Sequence, residues 1–290
     1  MPIELPQKLI EDVARRRCVL YVGAGVSRWA KTQAGKRPPL WPEFVDKVVQ
    51  RCPESARAEL RRIRKAGDLL TCLDIAKVLL KEDWHRLLEE EYSHPQFQIG
   101  ELHGELFRLD TPITITTNVD KIYEKAAIKL SEQSVKSKTF SDSDISTVAR
   151  LDHKARIILR AHGSLDNAYS MIFTRQDYAT LRKKHDDFYK LLQALLMTHT
   201  FLFVGVSMTD PDLVLMLENL AGEFGFSNPH YALIPRDNSP ETLASWERNY
   251  SLRPILYNPK NDHAELLAAV SQLADAVAPT REDMQLTGLW

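Results

Sequence analysis

The sequence predicts an α/β fold: a Rossmann-like, mainly parallel sheet with a helical module inserted between its first two strands. Three observations predict it. Short apolar runs recur along the chain: CVLYV at 18–22, PITIT at 112–116, RIILR at 156–160, TFLFVGV at 200–206 and HYALI at 230–234. Such runs read as strands buried on both faces of a parallel sheet. Helical patterns separate them, the alternation expected of crossover units. The long stretch between the first two runs carries its apolar residues at helical spacing.

In chain order, residues 5–16 form an amphipathic helix. The first strand runs into Gly23-Ala24-Gly25. Residues 28–40 are a loop with basic residues, Gly35 and the pair Pro38-Pro39. Residues 41–92 are helical, with Leu60, Ile63, Leu69, Leu70, Leu73, Ile75, Val78 and Leu79 on helical spacings. Gly67-Asp68 is a break there, with Asp68 as N-cap of the next helix. The insertion covers about residues 41–110 of one domain that spans residues 1–290. Weaker strand patterns lie at 136–140, 170–173 and 254–257, and helical ones at 119–130, 175–198, 211–224, 240–250 and 263–277. The polar segment 279–290 is expected to fray, or to dock on a partner through Leu289 and Trp290.

At ~150 residues per domain, 290 residues make one large domain or two unequal ones. With 44% hydrophobic and 27% charged residues, the chain can bury a large core, which excludes wholesale disorder and collagen-like repeats. Lys and Arg number 38 against 39 Asp and Glu, for a net charge of -1. That balance gives no global pull toward nucleic acid or an acidic membrane, and direct nucleic-acid binding is not expected. The three cysteines, Cys18, Cys52 and Cys72, have no C-x-x-C pair. They cannot build a four-thiolate zinc site, and they read as small buried thiols of a reducing compartment. Residues 1–17 contain no signal-peptide run, and no stretch of ~18 apolar residues occurs. The expectation is a cytoplasmic protein without membrane contact.

Four polar segments directly follow apolar strands, where open α/β sheets bind ligands. Gly23-Ala24-Gly25-Val26-Ser27 is either a tight strand-to-helix turn or a turn whose amides hold a pyrophosphate, with Ser27 adding a hydroxyl. Thr116-Thr117-Asn118-Val119-Asp120 either caps a helix or offers an amide and a carboxylate to a ligand. His162-Gly163-Ser164 places a histidine clear of a strand end, where it can act as a base. His103-Gly104 lies inside a helical pattern and is discounted. Gly205-Val206-Ser207 ends the most apolar strand. Asp210-Pro211-Asp212 then starts a helix, Asp210 as cap and Pro211 in its first turn.

The order of these segments, with Leu40-Trp41-Pro42-Glu43-Phe44-Val45 and Asp210-Pro211-Asp212-Leu213, resembles the sirtuin fold. More narrowly, it resembles the prokaryotic sirtuin-like NAD-consuming domains of anti-phage defence systems, over about residues 10–260. The resemblance implies NAD as substrate. It assigns Gly23, Ala24, Gly25 and Ser27 to the phosphate turn, and Thr117, Asn118 and Asp120 to the nicotinamide and ribose pocket. It makes His162 the catalytic histidine and places Gly205 and Ser207 beside the adenine ribose and phosphates. Two departures stand out. The zinc module of deacylase sirtuins is missing, so no zinc is expected. The Ser-Gly-Ile-Pro stretch that follows their turn is replaced by Arg28-Trp29-Ala30-Lys31.

The resemblance therefore implies an NAD glycohydrolase that cleaves the nicotinamide–ribose bond as the effector of an abortive-infection defence. The alternatives are an NAD-dependent protein deacylase and a non-catalytic NAD or ADP-ribose binding module. Asn118, Asp120 and His162 are the expected catalytic residues. As a lone effector without a recognition domain, the chain is expected to form homo-oligomers and to be activated by a HerA-type hexameric ATPase. Among the remaining features, Arg57, Arg61, Arg62, Arg64 and Lys65 read as a solvated helix face paired with Glu54 and Glu59, or else as a partner contact. Trp84 and the Leu79-Leu80/Leu87-Leu88 pattern read as core, or else as an exposed oligomer surface. Tyr178 either packs or lines the cleft.

Overall fold

The apolar runs become the centre of one sheet. In the computed structural model the strands are β1 (Cys18–Val22), β2 (Ile113–Thr116), β3 (Val135–Thr139), β4 (Arg156–Arg160), β5 (Thr200–Val204), β6 (His230–Pro235) and β7 (Leu252–Tyr257). They run in the order β3-β4-β2-β1-β5-β6-β7, and every neighbouring pair is parallel. The structure describes residues 3–93, 95–131, 135–141, 156–224 and 229–288. The chain first builds from β1 toward β3 and then returns past β1 to β5, so the order reverses between β1 and β5. That is a topological switch point, the crevice where doubly wound sheets bind ligands.

Apolar side chains alternate between the two faces of the sheet. Leu20, Val22, Leu202 and Val204 point into a core shared with α1 (Gln7–Ala14), α7 (Glu101–Arg108), α8 (Ile122–Leu130) and α13 (Lys260–Thr287). Val19, Tyr21, Phe201 and Phe203 point the other way, against α9 (Arg175–Lys184), α10 (Asp186–Thr198), α11 (Pro211–Phe224) and α12 (Pro240–Tyr250). A third core belongs to the insertion, built from α3 (Trp41–Arg51), α4 (Glu54–Lys65), α5 (Leu69–Leu80) and α6 (Glu82–Leu88). Asp68 caps α5, its carboxylate accepting from the Thr71 amide at 3.2 Å. Trp84, 1% exposed, meets Phe44 and Phe173 edge-on. This core also takes in Val119, Met171 and Phe173, so the insertion caps the C-terminal ends of β2 and β4. In α4, Arg62 pairs with Glu59 and Arg64 with Asp46 of α3, the solvated face expected of it. Helix α7 leaves the insertion and packs under the sheet.

Four expectations are corrected. Residues 170–173 form no strand: a 3-10 turn, Leu165–Ser170, ends there, and the Ile172 amide donates to the His162 carbonyl at 3.1 Å. The helix expected from 119 begins at Ile122, because the preceding residues form the loop at the strand end. The helix expected over 175–198 breaks at His185 into α9 and α10. The polar tail is not frayed: α13 runs through Pro279 to Thr287 and buries Met284. Leu289 and Trp290 lie outside the described residues. Cys18, Cys52 and Cys72 are free and buried, and among the described residues no helix is long and apolar enough to cross a membrane.

The two outer strands differ from the rest. β3 carries Lys136 and Lys138, and its residues are exposed or half-buried. β7 carries Pro254 at its centre, opposite Ala232 of β6.

Neutral pH is built into the core at His230. It is 5% exposed, and its Nδ1 accepts the Phe201 amide at 3.2 Å, which requires an unprotonated nitrogen. Burial pushes its pKa down to about 4. Unfolded histidine titrates near ~6.5, so the unfolded chain takes up this proton first as pH falls. Stability is full above that value and falls by about 3 kcal/mol as pH drops toward the native pKa. Urea midpoints at pH 7 and pH 5 should show the loss. His230→Gln, which keeps an acceptor without a titrating group, should flatten it, and an unchanged slope in that variant would remove His230 as the cause.

Candidate active site

The four polar segments leave the sheet on a single row. Val22 of β1 is paired with Thr116 of β2 and with Val204 of β5, and Thr116 is paired in turn with Arg160 of β4. Gly23, Thr117, Ala161 and Gly205 are therefore the first residues beyond one line of register. Asn118 and His162 are each two residues past it, on adjacent strands whose axes lie ~4.8 Å apart.

At the switch point the two glycine turns press together. The Gly23 amide donates to the Val204 carbonyl at 3.0 Å, and the Gly25 amide donates to the Gly205 carbonyl at 3.0 Å. A Cβ on Gly23 would stand 2.3 Å from the Gly205 oxygen, and Gly205 itself has φ +66. The glycines are thus needed for this contact between turns, whatever else they hold. Ala24 opens the short helix α2 (Ala24–Ser27), which begins directly after the Gly23 turn.

Ser27, Asn118 and Asp120 form one network beside that helix. The Asn118 side-chain amide donates to the Gly23 carbonyl at 2.9 Å and to Ser27 Oγ at 3.0 Å. Ser27 Oγ donates to Asp120 Oδ2 at 2.8 Å, and Asp120 Oδ1 accepts the Ile122 amide at 3.0 Å. Asp120 thus also serves the start of α8. Ser27 and Asp120 are buried and Asn118 is half-buried. Thr117 is the hydrogen-bond partner of the Tyr21 hydroxyl.

Arg160, the last residue of β4, is the floor of this network and was not expected from the sequence. It is 2% exposed. Its guanidinium donates to the carbonyls of Val119 and Asp120, both at 2.8 Å, to that of Gly163 at 3.3 Å, and to Glu124 at 3.1 Å. One side chain thereby ties the loop after β2 to the turn after β4. A charge closing an apolar strand is a weak signal in sequence, since most such residues simply face water.

His162 is held by Asp210, across the ends of β2 and β1. Its Nε2 lies 2.8 Å from Asp210 Oδ2, and Tyr178 donates its hydroxyl to the same oxygen at 2.8 Å. The other oxygen, Oδ1, accepts the amides of Asp212 at 3.1 Å and Leu213 at 2.9 Å, the helix cap read from the sequence. Asp210 therefore does two jobs with its two oxygens. Burial pushes its carboxyl up, but His162, the Leu213 amide and the Tyr178 hydroxyl outweigh that and hold it below the usual carboxylate range. An ionised Asp210 accepts the Nε2 proton and leaves Nδ1 as the basic nitrogen. Burial first, then the charges of Asp210 and Asp212, push the phenols of Tyr21 and Tyr178 far up, so both remain hydrogen-bond donors.

A chamber of about 20 Å³ lies against these groups, lined by Tyr21, His162, Tyr178, Asp210, Asp212 and apolar side chains of α9–α11. That is room for one water molecule, among polar groups able to hold it. Tyr178 thus lines the cleft as well as packing in the core. Ser207 is exposed, its hydroxyl 2.7 Å from that of Thr209.

The chain is 25% identical over 282 residues to an NAD(+) hydrolase ThsA of Bacillus cereus, an alignment covering 90% of this chain and 55% of that protein. It is 25% identical over 241 residues to the NAD(+) hydrolase ThsA of Enterococcus faecium, covering 79% and 45%. It is 22% identical over 293 residues to defense-associated sirtuin 2 of Bacillus subtilis, covering 93% and 26%. The chain thus spans about half the length, or less, of these curated relatives. Residues 112–255, from the start of β2 through most of β7 and about half of the chain, match the SIR2-like domain family. With the parallel sheet and the four strand-end segments in order, this match identifies residues 112–255 as a SIR2-like domain.

Proposed function

We propose that the chain is an NAD glycohydrolase, releasing nicotinamide and ADP-ribose, and that it acts as the effector of an anti-phage defence. The observation that carries the reading is the single row on which Asn118 and His162 leave adjacent strands beside the switch-point crevice. The names of the relatives, NAD(+) hydrolase and defense-associated sirtuin, support the same activity and setting.

The chemistry follows from the leaving group. The bond between ribose C1′ and nicotinamide N1 breaks, and its electron pair neutralises the cationic ring, so no strong acid is needed to expel it. The ribose passes through an oxocarbenium-like centre, as in glycoside hydrolysis. In this reading Asp120 stabilises that positive charge and Asn118 orients the carboxamide or the ribose. Water in the chamber beside His162 attacks C1′ and gives its proton to the imidazole. Gly23, Ala24, Gly25, Gly205 and Ser207 line the crevice for the pyrophosphate and adenine ribose, and Thr117 sets the nicotinamide pocket through Tyr21. No step calls for zinc. Assembly of several copies, activation by a HerA-type ATPase and a cytoplasmic site of action belong to the same proposal, and they are supported by the resemblance alone.

A product assay tests it. Protein incubated with NAD, with no acyl substrate, should release nicotinamide and ADP-ribose in equal amounts, and Asn118→Ala should abolish the release. Turnover that begins only when an acetyl-lysine peptide is added would make the chain a deacylase. NAD binding without products, partner present, would make it a binding module.

A further inference from the structure

On the α7–α13 side of the sheet lies a cavity of about 300 Å³ that shares no lining residue with the chamber beside His162. Its walls include Trp29, Lys31, Arg37, Gln98, Glu101 and Asp262. The volume is at the lower end of small-molecule pockets and suits one nucleotide unit rather than two.

Three features show that the site is built. First, the loop carrying its cations is fixed. Lys31 and Gln98 exchange backbone hydrogen bonds at 3.2 and 2.8 Å. Gly100 lies so close beneath Trp29 that a Cβ there would stand 2.2 Å from the Trp29 oxygen. Second, both cations turn to one carboxylate. Arg37 grips Asp262 with both terminal nitrogens, one at 2.8 Å to Oδ1 and the other to Oδ2, and Lys31 Nζ lies 3.7 Å from Oδ2. Asp262 is nevertheless 59% exposed. Third, the backbone is held in a costly conformation to put that carboxylate there. Asn261, Asp262 and His263 have φ of 54, 56 and 61, three successive left-handed residues. Asn, Asp and His are the non-glycine types that tolerate this region best. His263 is anchored by the Tyr257 hydroxyl at 2.9 Å from its Nδ1.

A guanidinium gripping two carboxylate oxygens presents the same fork that binds phosphate. We propose that this cavity binds a phosphorylated ligand of mononucleotide size, its phosphate replacing the Asp262 carboxylate on Arg37 and Lys31 and its aromatic ring lying against Trp29. Glu101, the other acid in the wall, is available to accept from sugar hydroxyls. The assignment is independent of the reading of the His162 site.

Calorimetric titration of the full chain with AMP, and separately with inorganic phosphate, tests it. AMP should bind, and phosphate alone should bind ~10-fold more weakly or less. Arg37→Gln should weaken AMP by ~10-fold or more, as expected for loss of a charged hydrogen-bonding partner. Asp262→Asn should tighten it several-fold, because asparagine keeps the left-handed backbone and removes the competing charge. A purely structural ion pair would not produce that tightening. The proposal is overturned by absence of AMP binding in both the wild type and Asp262→Asn, or by an affinity that ignores Arg37→Gln. It is equally overturned by binding that is lost in Asn118→Ala, which would put the ligand in the strand-end crevice. Phosphate binding as tightly as AMP would remove the aromatic part.

Discussion

His162→Ala is expected to lower NAD cleavage by ~10²–10⁴-fold, the usual contribution of a positioned general base, while the fold stays intact. The side chain is 13% exposed and lines a chamber already present, so its loss widens that chamber by one ring and opens no new void in the core. Asp210→Asn should fall in the same range for a different reason. An amide nitrogen facing Nε2 reverses the imidazole's tautomer, so Nδ1 would carry the proton and the base would be lost. Asparagine remains a good helix cap, which separates catalysis from folding: the melting temperature should move little while turnover collapses. Turnover and melting should be measured on the same preparations. Full activity in His162→Ala would take the imidazole out of the mechanism, and full activity in Asp210→Asn would reduce Asp210 to its role at the start of α11.

The second large effect is on stability. Arg160→Ala should cost about 3–5 kcal/mol, the range for removing one partner of a buried charge network. It would leave the Val119 and Asp120 carbonyls without their donor and Glu124 without its cation. Arg160→Lys should recover only part of this, because an ammonium cannot serve carbonyls and carboxylate in the planar pattern of a guanidinium. Urea midpoints measure the loss. A change under 1 kcal/mol in Arg160→Ala would mean that water replaces the guanidinium and that the floor of the site is softer than its hydrogen bonds indicate. NAD turnover should fall alongside stability, since Asn118 and Asp120 hang from the same carbonyls.

How far the sequence revealed the molecule depended on what each residue was doing. β1, β2, β4, β5 and β6 are legible because a strand buried on both faces carries a run of apolar residues with few polar ones between them. The polar edge strand β3 gave only a weak signal, and the segment 170–173 imitated a strand because buried linker residues are apolar too. The helix over 175–198 hid its break because His185 lies between two amphipathic stretches that share one face of the sheet. At the site, Ser27, Asn118 and Asp120 were singled out, and the structure joins them through hydrogen bonds. Its place before Pro211 marks Asp210 as a helix cap, which is half of its role. A carboxylate has two oxygens, and sequence spacing reports only the one that meets the local backbone. The hold on His162 comes from β5, far along the chain, and no local pattern encodes it. Arg160 was missed for the same reason: its partners are carbonyls, which every residue has.

The outer strands also bear on how copies of this chain can meet. A parallel sheet with seven strands would, with plain edges, be a template for adding an eighth from a neighbouring molecule. β3 sets Lys136 and Lys138 along its length, so a second copy aligned there would bring like charges together. β7 lacks a donor at Pro254, which interrupts the ladder an incoming strand would need. Among the described residues, both borders of the sheet thus resist continuous growth into fibrils. Any ordered ring or stack of these molecules has to be cemented by helix faces and loops, whose side-chain shapes limit the number of subunits, rather than by backbone pairing, which has no natural stopping point.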